Sequence, residues 1–209
     1  MIQALLLIFG RNTAWEKVTL SKRGMAFTVL FHLLPMMLIV GLAEGIAMVK
    51  WGKIQAADML LIKYFTVPEA IVYESAQMLV MAVVLVVSAY LIKSIGETFH
   101  GGHTYRQSFT VVIYGLSPLF LFRLLDVFPA MNLWIPWGIG MLFVVKILYR
   151  GVPRVMEPSP TNAFGLYLMS CVILIMATGI ERGFAFGCLT GRLKPAIHVL
   201  TNLALKLQH

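Results

Sequence analysis

Apolar residues in this chain come in blocks rather than in the one-sided stripes of a soluble amphipathic helix. Five blocks are long enough to cross a hydrocarbon core, which takes ~20 residues of helix. They run over about 24–48, 68–99, 108–125, 130–149 and 163–180. The predicted fold is all-α, a polytopic membrane helix bundle forming one domain over 1–209. Pro35 falls in the middle of the first block and predicts a kink there, and Pro118 falls inside the third. Pro68 suits the first turn of the second helix, and Gly101-Gly102 its stop. A helix over 68–99 is ~48 Å long, more than the ~30 Å core. Its ends, Glu74 at one and Lys93 with Glu97 at the other, are therefore expected to protrude.

The segments between the blocks are more polar. Residues 50–67 carry Lys50, Lys53, Asp58 and Lys63 among apolar residues and read as a short helix on the far surface. Residues 150–162 contain Pro153, Pro158 and Pro160 and read as a short loop that is not helical throughout. Thr13 and Glu16 have capping-box spacing and predict a short interfacial helix over about 13–22. A second interfacial helix is expected over about 195–208, where Ile197, Leu200, Leu203, Ala204 and Leu207 share one face. The first ten residues are apolar but show neither a preceding basic residue nor a cleavage site, so no removed signal peptide is read.

Composition agrees with the pattern: 59% of the 209 residues are apolar, 12% are charged, and mean hydropathy is +0.85. A soluble domain carries about 25% charge. The net charge of +8 does not point to nucleic acid, because the basic residues lie between apolar blocks, where they set topology and meet anionic headgroups. With the N-terminus inside, the inner segments carry Arg11, Lys17, Lys22, Arg23, Lys93, Arg106, Lys146, Arg150 and Arg154. The outer loops carry Lys50, Lys53, Lys63 and Arg123, a ratio of nine to four that favours a cytoplasmic N-terminus. Arg182, Arg192, Lys194 and Lys206 would add to the outside, but late charges weigh less than early ones. Cys171 falls inside an apolar block, so no bridge to Cys188 is expected.

Few residues offer chemistry. Arg123 and Asp126, three apart near the outer end of the third span, read as an intramembrane ion pair that supports folding. His32, three before Pro35, is taken to satisfy a group freed by the proline rather than to bind a metal. Glu97, His100 and His103 are the nearest approach to a metal constellation, and a solvated loop explains them without one. No Ser–His–acid or Cys–His set stands out, so no catalytic residue, metal or cofactor is expected. Lys146, Arg150 and Arg154 form a basic face suited to lipid headgroups.

The stretch GETFHGGHTYRQSFTVVIYGLSP from Gly96 to Pro118 resembles the Yip family of multi-span proteins, named for members that interact with Ypt/Rab GTPases. The resemblance rests on Gly101, Gly102, Thr104, Tyr105, Arg106, Gln107, Tyr114 and Pro118, with Trp15-Glu16, Pro129 and Gly151 in agreement. It covers about 15–180 and implies a five-span layout. About two dozen residues precede the first span, which is similar to the short, prokaryotic-type form and implies a prokaryotic cytoplasmic (inner) membrane.

These readings converge on a non-catalytic membrane protein, an accessory or assembly subunit that contacts lipids and other membrane-protein subunits, with a small transporter or channel as the alternative. The loop holding His100, His103, Thr104, Tyr105, Arg106 and Gln107 is its expected partner contact. Five spans place the two termini on opposite sides. Cysteines introduced by Lys17→Cys and Lys206→Cys should accordingly label from opposite sides of a sealed membrane, with Thr104→Cys labelling on the Lys17 side. Labelling of positions 17 and 206 from one side would exclude an odd number of spans.

Overall fold

The computed structural model describes Trp15, Val18 and residues 24–54, 62–98 and 104–190. Five helices are long and apolar enough to span a membrane: α1 (Met25–Lys50), α2 (Val67–Thr98), α3 (Tyr105–Val127), α4 (Trp134–Met156) and α5 (Ala163–Leu189). The protein is an integral membrane helix bundle. Of the expected interfacial helices, only Trp15 and Val18 belong to the described residues. Both are helical and buried against the bundle.

The bundle is built around α3. In its apolar window 72% of residues are buried, against 28 to 44% in the other four spans. Val111, Val112, Leu116 and Phe120 of α3 meet Leu85 and Ile92 of α2, Val144 and Leu148 of α4, and Leu166 and Leu174 of α5 in one core. The outward faces remain apolar: Phe31, Leu42, Leu79, Leu142, Met176 and Ile180 are each exposed. Water would penalise that arrangement, and lipid does not.

Two prolines shape the spans. Before Pro35 the backbone widens into a π-turn over Val29–Leu33, which relieves the ring's crowding of the preceding turn. α3 is interrupted at Leu116, just ahead of Pro118. The loosened turns face one another: His32 Nε2 and Ser117 Oγ lie 2.9 Å apart, and the His32 ring is 4.5 Å from that of Tyr114. His32 thus satisfies a neighbouring polar group, as expected.

Helix starts follow local rules. Thr66 and Glu69 form reciprocal hydrogen bonds ahead of α2, where Pro68 occupies the first turn. Thr104 and Gln107 form a full capping box at α3, and Gln107 Nε2 also donates to Val155 O at 3.1 Å.

Three expectations fail for a common reason, that tertiary partners override local signals. The short helix expected over 50–67 is not found at the described positions 53–54 and 62–63: Lys53–Ile54 (β1) and Ile62–Lys63 (β2) pair antiparallel, with Lys53 opposite Lys63, and residues 55–61 lie outside the described residues. The hairpin is entered through Gly52 at φ 71°, where a Cβ would meet Ile62 and the Lys63 carbonyl at 2.6 and 2.7 Å. α4 does not stop at 149 but runs through Pro153 to Met156, because Val152, Val155 and Met156 are buried in the core. α5 does not stop at 180 but continues to Leu189, because Glu181 and Arg182 are buried rather than solvated.

At Gly151 an added Cβ would overlap the Trp15 ring, with Cε2 at 2.8 Å, whereas Gly138 on the same helix has nothing within 4 Å. Gly151→Ala should therefore lower stability, because overpacking costs ~1–3 kcal/mol against a helix-propensity gain of ~1 kcal/mol. Gly138→Ala should be neutral or stabilising. Thermal unfolding midpoints of the two variants in detergent check the contrast.

Candidate functional site: a buried charge cluster

Helix direction brings one end of α1, α3 and α5 together with the start of α2 and the β1–β2 hairpin. Seven ionisable side chains converge there: Glu44, Lys53, Glu74, Arg123, Asp126, Glu181 and Arg182, each 7% exposed or less. Lys53 reaches back from the hairpin to pair with Glu44. Arg123 lies between two carboxylates, with Nη2 at 3.5 Å from Glu44 Oε2 and Nη1 at 3.5 Å from Glu181 Oε1. Arg182 pairs with Asp126. Nearby, Gln77 Nε2 donates to the Tyr73 hydroxyl at 2.9 Å, and Trp137 Nε1 donates to Thr178 Oγ1 at 3.2 Å, which brings α4 to α5.

Arg123 and Asp126 are indeed buried together, but they do not form the local pair that their spacing suggests. Each takes its ion pair from another helix. The geometry explains this: the residues straddle the change from α-helix to the 3-10 turn Leu124–Val127, while Glu181 and Arg182 on α5 are adjacent. Glu74 does not protrude from the end of α2 but is 7% exposed inside the bundle. Lys53 and Arg182, taken as loop and tail charges, are interior residues.

Sequence reasoning passes over Glu44, Lys53, Glu74, Glu181 and Arg182 as site residues. A signal was present, since an acid or base inside an apolar block is functional or paired by default. Alternating span direction also places all of these residues at the same bundle end.

The remaining expected residues lie elsewhere. His100 and His103 fall outside the described residues. Glu97 pairs with Lys93 at 3.0 Å on the exposed end of α2, and among the described residues no three metal-ligating side chains group together. The side chains of Thr104 and Gln107 form the capping box, Tyr105 is half-buried and stacked on Phe109 at 5.7 Å, and Arg106 is exposed. Lys146 is exposed, 6.0 Å from the Phe143 ring. Arg150 and Arg154 line an open cavity of about 470 Å³ with Tyr149, Pro160, Phe164 and Tyr167, at the end opposite the charge cluster.

Fold and site together define a five-span α-helical membrane protein closed at one end by a buried ionic cluster. The Yip1 domain family matches residues 5–180, and the chain belongs to that family. No curated protein and no solved structure matches it.

Removing one partner of a buried pair strands the other charge, at ~3–5 kcal/mol. Arg182→Asp should sharply lower folded yield, and adding Asp126→Arg should restore much of it. Reversing Arg123 and Asp126 together should give no such recovery, because their partners are Glu44, Glu181 and Arg182. Monodisperse yield after detergent extraction separates the two cases.

Proposed function

We propose that this chain is a non-catalytic subunit of a membrane assembly, contacting lipids and other membrane proteins from a prokaryotic cytoplasmic membrane. The observation that carries the reading is where the charge goes. Six of the seven charged groups in the cluster, among the described residues, are consumed in ion pairs between elements, while the exterior is apolar along its length and basic and aromatic at one end. Groups held by one another are poorly placed to turn over a substrate.

The same pairing bears on orientation. Lys53, Arg123 and Arg182 are buried with carboxylates, so they weigh little in the loop-charge rule. Lys50 and Lys63 then stand at one end against Lys93, Arg106, Lys146, Arg150 and Arg154 at the other. This supports a cytoplasmic side at the N-terminal end of α1. There, Arg150 and Arg154 with Tyr149, Phe164 and Tyr167 offer what an anionic headgroup needs, guanidinium donors in an aromatic interfacial belt.

A transporter or channel is the second reading, favoured by the proline breaks in α1 and α3. The His32–Ser117 contact bridges those two breaks, which favours a closed bundle.

Paired Arg150→Ala and Arg154→Ala should reduce anionic phospholipid retained through purification several-fold, and Tyr105→Ala with Arg106→Ala should reduce co-purifying membrane proteins. Mass spectrometry of both fractions reads the outcome. Unchanged lipid and protein, together with an ion flux in proteoliposomes, would replace the subunit reading with the transporter.

A further inference from the structure

The cluster holds four carboxylates and three cations, and the ion pairs leave Glu74 as the odd one. Among the described residues its Oε1 has no hydrogen-bond partner, and the residue is only 7% exposed. Glu74 also lines a groove of about 490 Å³ between α1 and α2, whose walls are otherwise largely apolar: Leu38, Leu42 and Ile46 on one side, Ile71 and Met78 on the other. Leu42, Ile46 and Ile71 are 62, 53 and 60% exposed, so the groove opens sideways, toward lipid rather than water.

Two glycines create the room. A Cβ at Gly41 would meet Glu74 Oε2 at 3.2 Å, and one at Gly45 would meet Glu74 Cγ at 3.5 Å. α1 is therefore bare where the carboxyl lies against it. Lys50 sits at one rim of the groove, roughly 13 Å along the helix axis from Gly41. The carboxyl is thus inside the apolar zone and not at the surface. A second small void, shared by Gly41, Glu74 and Met78, separates it from Arg123.

A carboxylate without a donor at such a depth is costly, and a ligand that brings an ammonium group removes the penalty through a charge-assisted hydrogen bond. The size of the groove selects the kind of ligand. A helix ~10 Å across rises ~1.5 Å per residue, so this volume admits roughly four residues of one, too few for a transmembrane partner. It lies within the ~300–1,000 Å³ of small-ligand sites.

We propose that the α1–α2 groove binds a membrane amphiphile bearing a primary ammonium group. The apolar chain lies along Leu42, Ile46 and Ile71, and the ammonium donates to the Glu74 carboxylate, whose Oε2 lies on the Gly41 side. The proposal rests on the lipid-contacting part of the function proposed above and gives it a second, chemically distinct site.

Dodecylamine, dodecanol and dodecanoic acid, which share chain length and differ in polar end, are suitable probes for equilibrium binding to the full chain. Nanodiscs of phosphocholine lipid, with empty discs subtracted, provide a background whose quaternary ammonium has no N–H to donate. Dodecylamine is expected to saturate at one per chain and to bind at least about tenfold tighter than the other two, a difference of ~1.4 kcal/mol. Glu74→Gln should erase the preference for the amine. Ser75→Phe, a filling change at an exposed groove residue, should abolish binding of all three while the protein stays monodisperse. Equal binding of the three amphiphiles, an amine preference that survives Glu74→Gln, or a copurifying protein that crosslinks to position 75 and excludes the amine would each overturn the proposal. Headgroup retention through Arg150 and Arg154 is read at the other end of the bundle, so failure of the groove and failure of the lipid-contacting reading are separate results.

Discussion

Charge inside hydrocarbon must be neutralised, and the end of this bundle is organised around that constraint. An Asp, Lys or Arg at mid-span costs ~2.5–3.5 kcal/mol on insertion scales. Neutralisation here is never local: Glu44 depends on a lysine from the hairpin, Arg123 on acids from α1 and α5, and Asp126 on an arginine from α5. Within this cluster no helix satisfies its own charges. The ends of α1, α3 and α5 are therefore stable only in each other's company, and the left-handed backbone turn at Gly52 that precedes buried Lys53 belongs to the same requirement.

That dependence explains what was legible in the sequence. Block length located the five spans, and short-range chemistry located Pro68 in the first turn of α2, because these signals are complete within a few residues. Residues 50–67 were not legible, because Lys53 looks like a surface charge until Glu44 is known to stand opposite it. The C-terminal part of α5 was misread for the same reason: Glu181 and Arg182 side by side resemble the end of a membrane span when their partners lie more than fifty residues away. At α4, Pro153 is a local stop signal that burial of Val152 and Val155 overrides. The pairing of Arg123 with Asp126 erred differently. Both residues are buried, and the nearest opposite charge in sequence is not the nearest in space.

The opposite end is held by other means. The Thr104–Gln107 box caps α3, and the Gln107 amide crosses to Val155 O on α4. Trp15 fills the space left by Gly151, edge-on to Tyr114 at 6.5 Å between centroids. These are neutral, short-range contacts, and beside them Arg150 and Arg154 line the open cavity at this end. In the middle, His32 and Ser117 bridge the two proline-loosened turns. One end thus confines its charge and the other presents it, which gives a symmetric-looking bundle two chemically different faces.

Glu74 is the residue this scheme does not require. Each of the other six ionisable groups would strand a partner if it were removed, so the fold accounts for them. Glu74 strands nothing. By the physics of buried charge, an apolar residue of similar volume at its position would hold α2 against α1 at least as well. Glycines at positions 41 and 45 let α2 approach α1 closely, with Met78 and Glu74 lying over them, and larger side chains there would close the groove. An unpartnered carboxyl, a helix face left bare beside it and an opening toward lipid each carry a stability penalty alone. Together they mark a part of the described bundle that is better explained by something that binds than by something that folds.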